Sequence, residues 1–326
     1  MPAPSGSLAT LRPELGSLME FDLERNRAGF IAYRVLPIMN VAKQSGTFGR
    51  IPTEQLGKLA DVTRTSKGGY NRINWTFDDD TFATKEYGLE GVVDQRNANL
   101  YRDYFDAELA TSRLVLHNVL AKAEIRVASA IFNATTFTGA ALTTAVGTEW
   151  STVATATPIT NVMAASQNVR DNCGQYANTL IINRKVFRNL QQCDQIIDAI
   201  QAAGAGQSAK PGDITAAMMA RCFDLEQVIV ADSSYDTALE GQSTSFGDIW
   251  DDEYAMVCKL NTEGDSIEAP GLGRSFHWSE DGSTPGGTIE TYSSVEVRGE
   301  IVRVRHEVQE KIVYTECGHL LSNITA

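Results

Sequence analysis

The chain has 326 residues, enough for one large domain or two, and its 43% of apolar residues place it with ordinary folded proteins and apart from disordered tails. It carries 28 Lys and Arg against 41 Asp and Glu, a formal charge of -13, which excludes a surface that grips nucleic acid everywhere, because sequence-independent affinity comes from cations neutralising phosphates. Cys173, Cys193, Cys222, Cys258 and Cys317 are odd in number and never two apart, so they point to reduced thiols and away from a zinc site or a disulfide framework.

Residues 1–18 read as a loose arm, with Pro2, Pro4, Gly6, Pro13 and Gly16 blocking regular structure, and Leu18 to Arg27 as a short helix. Met1 to Met19 has no apolar run and is no signal peptide; Phe30 to Met39, interrupted by Arg34 and Pro37, is too short to span a bilayer. A soluble chain, intracellular when made and without a membrane partner, is expected. Phe30 to Val41 reads as an edge strand or bent extended segment, because Pro37 cannot donate to a ladder.

From Ser45 to Tyr87 the pattern changes to alternation at Ile73, Trp75 and Phe77 and again across Phe82 to Tyr87, with Asp78, Asp79 and Asp80 as a solvated turn between. A two-stranded arm of this kind is marginal by itself, so it is expected to rest on another molecule. Residues 92–132 read as one long amphipathic helix with its apolar stripe at Leu109, Leu116, Leu120, Ala123, Val127 and Ile131 and Asp94 as N-cap. At roughly 1.5 Å per residue this rod would be about 60 Å long. Arg102, Asp103, Glu108, Arg113, Lys122, Glu124 and Arg126 occupy the rest of its circumference.

A Thr/Ala/Gly linker from Ala134 to Gly147 leads into alternating elements: helix Ile159–Cys173, strand Thr179–Ile182, helices Lys185–Leu190 and Asp194–Ala203, a loop Gly204–Gly212, a helix capped by Asp213, and strand Val228–Ala231. Ser243–Asp248 reads as a polar loop, Tyr254–Leu260 as a strand, and Glu263–Gly287 as a long irregular segment. The clearest strand closes the chain, with Val302, Val304, His306, Val308, Ile312 and Tyr314 on one face and Arg303, Arg305, Glu307, Gln309 and Lys311 on the other; Glu310 breaks the pattern.

Chemistry is absent from this reading: no catalytic, cofactor-binding or metal residues are assigned. Gly204-Ala205-Gly206 with Lys210-Pro211 lacks the Gly before Lys and the Ser or Thr after it that a phosphate loop needs, and Gly271-Leu272-Gly273 reads as a turn. His117, His277, His306 and His319 have no ligand spacing; His306 reads as a packed core residue with one hydrogen-bond partner and His117 as a surface residue. Asp251-Asp252-Glu253 reads as a solvated turn, and no nucleophile elbow is present.

Five segments in order carry a resemblance. They are Phe30–Met39 continuing through Val41–Phe48, Tyr87–Glu90, Asn178–Ile182 with Val186–Leu190, Asp248–Trp250, and Tyr254–Val257. Together they resemble the major capsid proteins of tailed double-stranded-DNA bacteriophages, with the Hong Kong 97-like capsid fold, over about residues 28–316. The resemblance implies an α+β chain with an N-terminal arm at 1–45, an extended β-hairpin loop at 46–88 lying across a neighbouring subunit, and a spine helix and linker at 89–149. It further implies an α/β axial domain at 150–287 and C-terminal strands of the peripheral domain at 288–326.

The function so implied is structural: copies assemble through pentamers and hexamers into an icosahedral head shell around double-stranded DNA, in a virion built in the bacterial cytoplasm. The first motif starts at Phe30, which leaves little room for a built-in scaffold, so a separate scaffolding protein is expected. A portal is a further partner and a decoration protein an optional one. DNA would be met non-specifically on the inner surface, by Arg102, Arg113, Lys122 and Arg126 if that helix face points inward, with salt bridges or solvated charge as an equal reading. Some relatives weld subunits through a Lys–Asn bond assisted by a buried Glu; Lys58, Lys67, Lys85, Asn323 and Glu310 are the residues on offer, the lysines reading first as solvated charge. The alternatives are an encapsulin-like compartment with the same fold, and a soluble oligomeric α/β enzyme.

Overall fold

The computed structural model describes residues 29–64, 66, 68–74, 76, 78–101, 106–202, 211–261 and 271–325. The expected N-terminal loose arm and its helix, Lys67, Trp75, Phe77, Arg102, Asp103, the glycines and lysine of the loop at 204–210, and residues 263–270 lie outside them.

In chain order the elements are helical turn α1 (Ala32–Val35), β1 (Ile38–Val41), β2 (Ser45–Arg50), helical turn α2 (Thr53–Leu56), β3 (Asp78–Ala83), β4 (Lys85–Asp94), α3 (Gln95–Tyr101), α4 (Ala107–Ile131) and β5 (Thr143–Ala145). Then come α5 (Pro158–Cys173), β6 (Thr179–Asn183), α6 (Arg184–Gln192), α7 (Asp194–Ala202), a 3-10 turn at Pro211–Asp213, α8 (Ala216–Cys222), β7 (Gln227–Ala231), β8 (Ser234–Asp236) and β9 (Phe246–Asp248). The chain ends with β10 (Ala255–Cys258), β11 (Gly273–Trp278), β12 (Thr288–Ser294), β13 (Gly299–Ile312), a 3-10 turn at Thr315–Cys317 and β14 (Gly318–Ser322).

Two five-stranded sheets organise these elements. In one the order is β5-β14-β10-β6-β7, and its strands β14, β10 and β6 are buried on both faces while β5 is a partly exposed edge. Leu180, Ile182, Ala255, Val257 and Leu321 point into a core shared with helices α5 to α8, while Ile181, Met256, Cys258, Ile229 and Leu320 point into a second core with α1 and the end of α4. This two-sided burial is what the continuous apolar runs at Thr179–Asn183 and Ala255–Cys258 require.

The other sheet is built on β13. Residues 299–305 of β13 pair with both β4 and β12, so these two strands flank it; β11 continues beyond β12, and β1 runs parallel to β11 at the edge. Helix α4 lies across the face that carries Gly91, Val302 and Val304. A Cβ on Gly91 would meet Thr111 Cγ2 at 2.3 Å, so only glycine admits the helix this close.

Several expectations change here. The rod of 92–132 is not one helix: Val92, Val93 and Asp94 belong to β4, α3 is separate, and α4 holds 25 residues, about 37 Å at 1.5 Å per residue. Its N-cap is Asp106, whose carboxylate accepts from the N–H groups of Glu108 and Leu109, and not Asp94. The buried stripe runs Val115, Val119, Ala123, Val127, Ile131 in steps of four, so it drifts around the helix by about 40° per step. That drift fits a helix that leaves the β13 sheet for the second core, and it puts Leu109 outside.

Asp78, Asp79 and Asp80 form the start of β3, in register with Arg50, Gly49 and Phe48, and not a turn; Ile73 is in no strand. The segment before β1 is helical. Thr215, not Asp213, caps α8, with Asp213 in the preceding 3-10 turn. Phe246–Asp248 is a strand paired to β8. The expected irregular stretch contains β11, and Gly273 opens that strand instead of sitting in a turn. Finally, β14 runs in the sheet with β10, so residues 288–326 divide between the two sheets.

Candidate assembly interface

The arm between β2 and β3 has a fixed base and an uncovered tip. At the base, Phe48 and Phe82 pack on Phe276 of β11, with ring centroids 5.4 and 5.0 Å away. Arg50 donates to the Val313 carbonyl at 2.9 Å, the Tyr314 hydroxyl donates to the Ile51 carbonyl at 3.2 Å, and Lys311 pairs with Asp80. Burial alone would raise the Asp80 carboxyl; the hydrogen bonds from Lys311 and the Thr81 N–H outweigh it and hold it below the usual range. Behind the base, the buried Glu307 carboxylate accepts from Gln44 and Thr84 at 2.7 and 2.9 Å.

Beyond Ile51 the picture reverses. Leu59 is 96% exposed, Val62 93%, Tyr70 76% and Ile73 62%. The polar contacts of this tip are local: Thr63 N–H and Asn71 donate to Asp61, Arg64 donates to the Gly68 carbonyl, and the Arg64 guanidinium sits 4.7 Å over the Tyr70 ring. Four large apolar side chains on one segment are thus left in water by the subunit itself.

The junction under the spine helix is the opposite case. Glu124, wholly buried on α4, accepts from the N–H groups of Ile31 and Ala32 at 2.9 and 2.8 Å and from the Trp250 indole at 2.6 Å. Burial pushes its carboxyl up, against these three hydrogen bonds. Two residues further along α4, Arg126 grips Glu310 of β13 with two hydrogen bonds of 3.1 and 2.7 Å and stacks 3.8 Å over the Tyr87 ring of β4. The oddly placed Glu310 is therefore Arg126's counter-ion. Sequence reading missed the role of Glu124; the signal available was a carboxylate one position from the apolar stripe.

The remaining candidates scatter. His306 contacts the Pro285 carbonyl at 3.2 Å and Arg126 at 3.5 Å; since Arg can only donate, Nε2 of His306 accepts and Nδ1–H faces the carbonyl. His277 lies between Asn40 and Ser283, His319 between Ala141 and Thr144, and His117 stacks on Phe30. Among the described residues no group of three or more His, Cys, Asp or Glu is placed to hold a metal, and no helix is long and apolar enough to cross a membrane. Asp252 and Glu253 are not a merely solvated turn: Asp252 pairs with Lys185, and Glu253 accepts from the N–H of Asn323. Lys58 is exposed in the arm, Lys85 begins β4, and the Asn323 amide donates to the Val146 carbonyl, so the welding residues are not brought together within one subunit. Of the basic positions proposed to face DNA, Arg126 is held inside the subunit and Lys122 is exposed.

No protein-family model matches the chain. By sequence it is similar to the major capsid protein of Pseudomonas phage JBD67, 23% identical over 298 residues that cover 91% of this chain and 92% of that one. Among solved structures it is similar to a phage-related protein from Bordetella bronchiseptica, with TM-score 0.66, 18% identity, and coverage of 94% of this chain and 97% of that one. The capsid of cyanophage P-SCSP1u is also similar, with TM-score 0.57, 10% identity, and coverage of 88% and 86%. The two sheets, the spine helix laid across one of them and the projecting hairpin arm are thus those of the Hong Kong 97-like capsid fold, and the chain is a homologue of the phage major capsid proteins.

Proposed function

We propose that this chain is the structural subunit of an icosahedral shell, a major capsid protein that encloses double-stranded DNA and does no chemistry of its own. The observation that carries the reading is the arm: its base is locked by Phe48, Arg50 and Asp80, while Leu59, Val62, Tyr70 and Ile73 stay uncovered. A neighbouring copy supplies the cover, and because each copy both gives and receives an arm the contact repeats into pentamers and hexamers. Each contact can be weak, since a closed lattice engages several at once.

In this reading residues 46–88 act as the intersubunit loop, 89–149 with most of 288–326 as the peripheral unit, and 150–287 as the axial unit around the symmetry axes. The charge of -13 suits a container whose contents must slide in past it. A separate scaffolding protein, a portal and DNA on the inner face are the partners this role calls for, and the virion assembled in a bacterial cytoplasm is its place. Sequence relatives named as phage capsid proteins favour this over a cellular compartment.

Electron microscopy of the purified chain at rising concentration tests the proposal. Closed shells, tubes or capsomers are expected. Particles that remain single subunits at every concentration, with or without a co-expressed scaffold, overturn it.

A further inference from the structure

The hairpin of β8 and β9 follows directly on β7. Its loop is held in shape from within: the Asp236 carboxylate accepts from the N–H groups of Ala238 and Ser245, both at 2.9 Å, and the Thr237 N–H and hydroxyl both donate to the Ser245 carbonyl. Yet Leu239 in that loop is 74% exposed and Phe246 is 76% exposed. The register pairs Asp236 with Phe246 and Ser234 with Asp248, so these four side chains share one face, with Asp232 at its foot. That face is acidic along its length and apolar toward the tip. Every charged side chain from Asp232 to Asp248 is acidic, and among the described residues none of Asp232, Asp236 and Asp248 is ion-paired with a Lys or Arg.

The described chain begins beside this hairpin and at a fixed point. Ile31 and Ala32 are tied to Glu124, Phe30 stacks on His117 with ring centroids 5.5 Å apart, and a Cβ on Gly29 would stand 2.6 Å from the Asp232 carbonyl oxygen. Residues 1–28 precede it, outside the described ones. In their last part Met19, Phe21, Leu23, Arg25 and Arg27 alternate with Glu20, Asp22, Glu24 and Asn26. Wound as a helix, this stretch would put Met19 and Phe21 on nearly opposite sides; extended, it gathers all five on one face, basic next to Gly29 and apolar beyond.

We propose that residues 19–27 lie extended along this face of the β8–β9 hairpin of their own subunit, with Arg27 and Arg25 against Asp232, Asp236 and Asp248 and with Leu23, Phe21 and Met19 covering Phe246 and Leu239. The spacing matches. At about 3.3 Å per residue Arg25 stands about 13 Å from Gly29, as far as Asp236 stands from Asp232, and Leu23 and Phe21 fall beyond it, within reach of Phe246 and the loop that carries Leu239. Glu20, Asp22 and Glu24 then face water. Burial of the apolar side chains supplies most of the stabilisation, while the exposed ion pairs contribute little energy and set the register. The occupant is this segment and not a second copy because the chain already stands at the foot of the hairpin, so that docking is intramolecular and needs only weak contacts. A subunit that covers this hairpin itself does not offer it to other copies. The proposal does not depend on the shell reading.

Photo-cross-linking and hydrogen exchange of the full-length chain, dissociated and dilute, test this. With p-benzoylphenylalanine in place of Phe246, illumination is expected to give a product of single-chain mass in which that position is joined to a peptide containing Met19 to Leu23. Arg25→Glu together with Arg27→Glu sets like charge against Asp232, Asp236 and Asp248 and is expected to cut the yield by about tenfold, whereas Leu59→Ser on the arm leaves it unchanged. No link to residues 19–23, a product of twice the chain mass, or an undiminished yield in the double substitution overturns the proposal. Exchange in the unsubstituted chain decides the matter where a variant fails to fold. Amides of residues 19–27 are expected to exchange at least about tenfold more slowly than in an unstructured peptide of that sequence, and equal rates overturn the proposal. Shell formation is scored separately by microscopy, so loss of one reading is not mistaken for loss of the other.

Discussion

Glu124 holds together three parts of the chain that share no sequence neighbourhood: the segment before β1, the spine helix, and Trp250 ahead of β10. Replacing it with Ala leaves two backbone N–H groups and an indole N–H buried without acceptors. With each such group costing about 1–3 kcal/mol, Glu124→Ala is expected to lower stability by about 3–5 kcal/mol in urea unfolding, and a loss under about 1 kcal/mol would contradict this account. Three buried histidines set the acid limit. Burial depresses His277, His306 and His319 below their ordinary 6.5. Below that value the unfolded chain binds protons that the folded chain refuses, so stability is full above pH 6.5 and is lost as the pH falls through the interval beneath it. Each proton contributes a slope of up to about 1.4 kcal/mol per pH unit. His306→Gln is expected to lower the slope measured between pH 6.5 and 5; an unchanged slope would show that His306 titrates alike in both states.

At the level of elements, close approach decides the position of the spine. Gly91→Ala would drive a methyl to 2.3 Å from Thr111 and 2.8 Å from Val115, lifting α4 off β4. A cost of about 1–3 kcal/mol in unfolding free energy is expected, whereas Gly49→Ala, which meets nothing within 4 Å, should stay within about 0.5 kcal/mol. Elements whose pattern answers to one uniform environment were legible in the sequence: β13 alternates apolar or His with charged side chains from Val302 to Val308, and β6 and β10 are buried on both faces. Elements completed by distant side chains were not. Gly273, Arg274, Ser275 and His277 have no strand pattern, yet β11 is central because Leu36, Asn40, Asn261 and Ser283 supply the partners of its polar groups. Asp78 to Asp80 look like a turn until Arg50 and Lys311 stand beside them. The break between α3 and α4 was hidden because residues 92–101 continue the mixed apolar and polar composition of the helix.

Across the whole molecule, the sequence carried the existence of a projecting arm, because a two-stranded hairpin with so little apolar cover cannot be a domain. It did not carry how far the subunit secures that arm for itself. Phe48 and Phe82 belong to the subunit's own interior through Phe276, so the arm leaves the body from a packed root, and in the proposed assembly only its far part would be left for a neighbouring copy to cover. In the proposed assembly this division would let a fixed root aim the tip while the exposed tip supplies the contact. Hydrogen exchange over residues 57–74, compared between dissociated subunits and assembled shells, measures this directly. The account predicts fast exchange in the free subunit and protection raised by roughly 100-fold or more in the shell, with the hairpin root at 45–50 and 78–83 protected in both. Tip amides already protected in the free subunit, or equally unprotected in the shell, would contradict it.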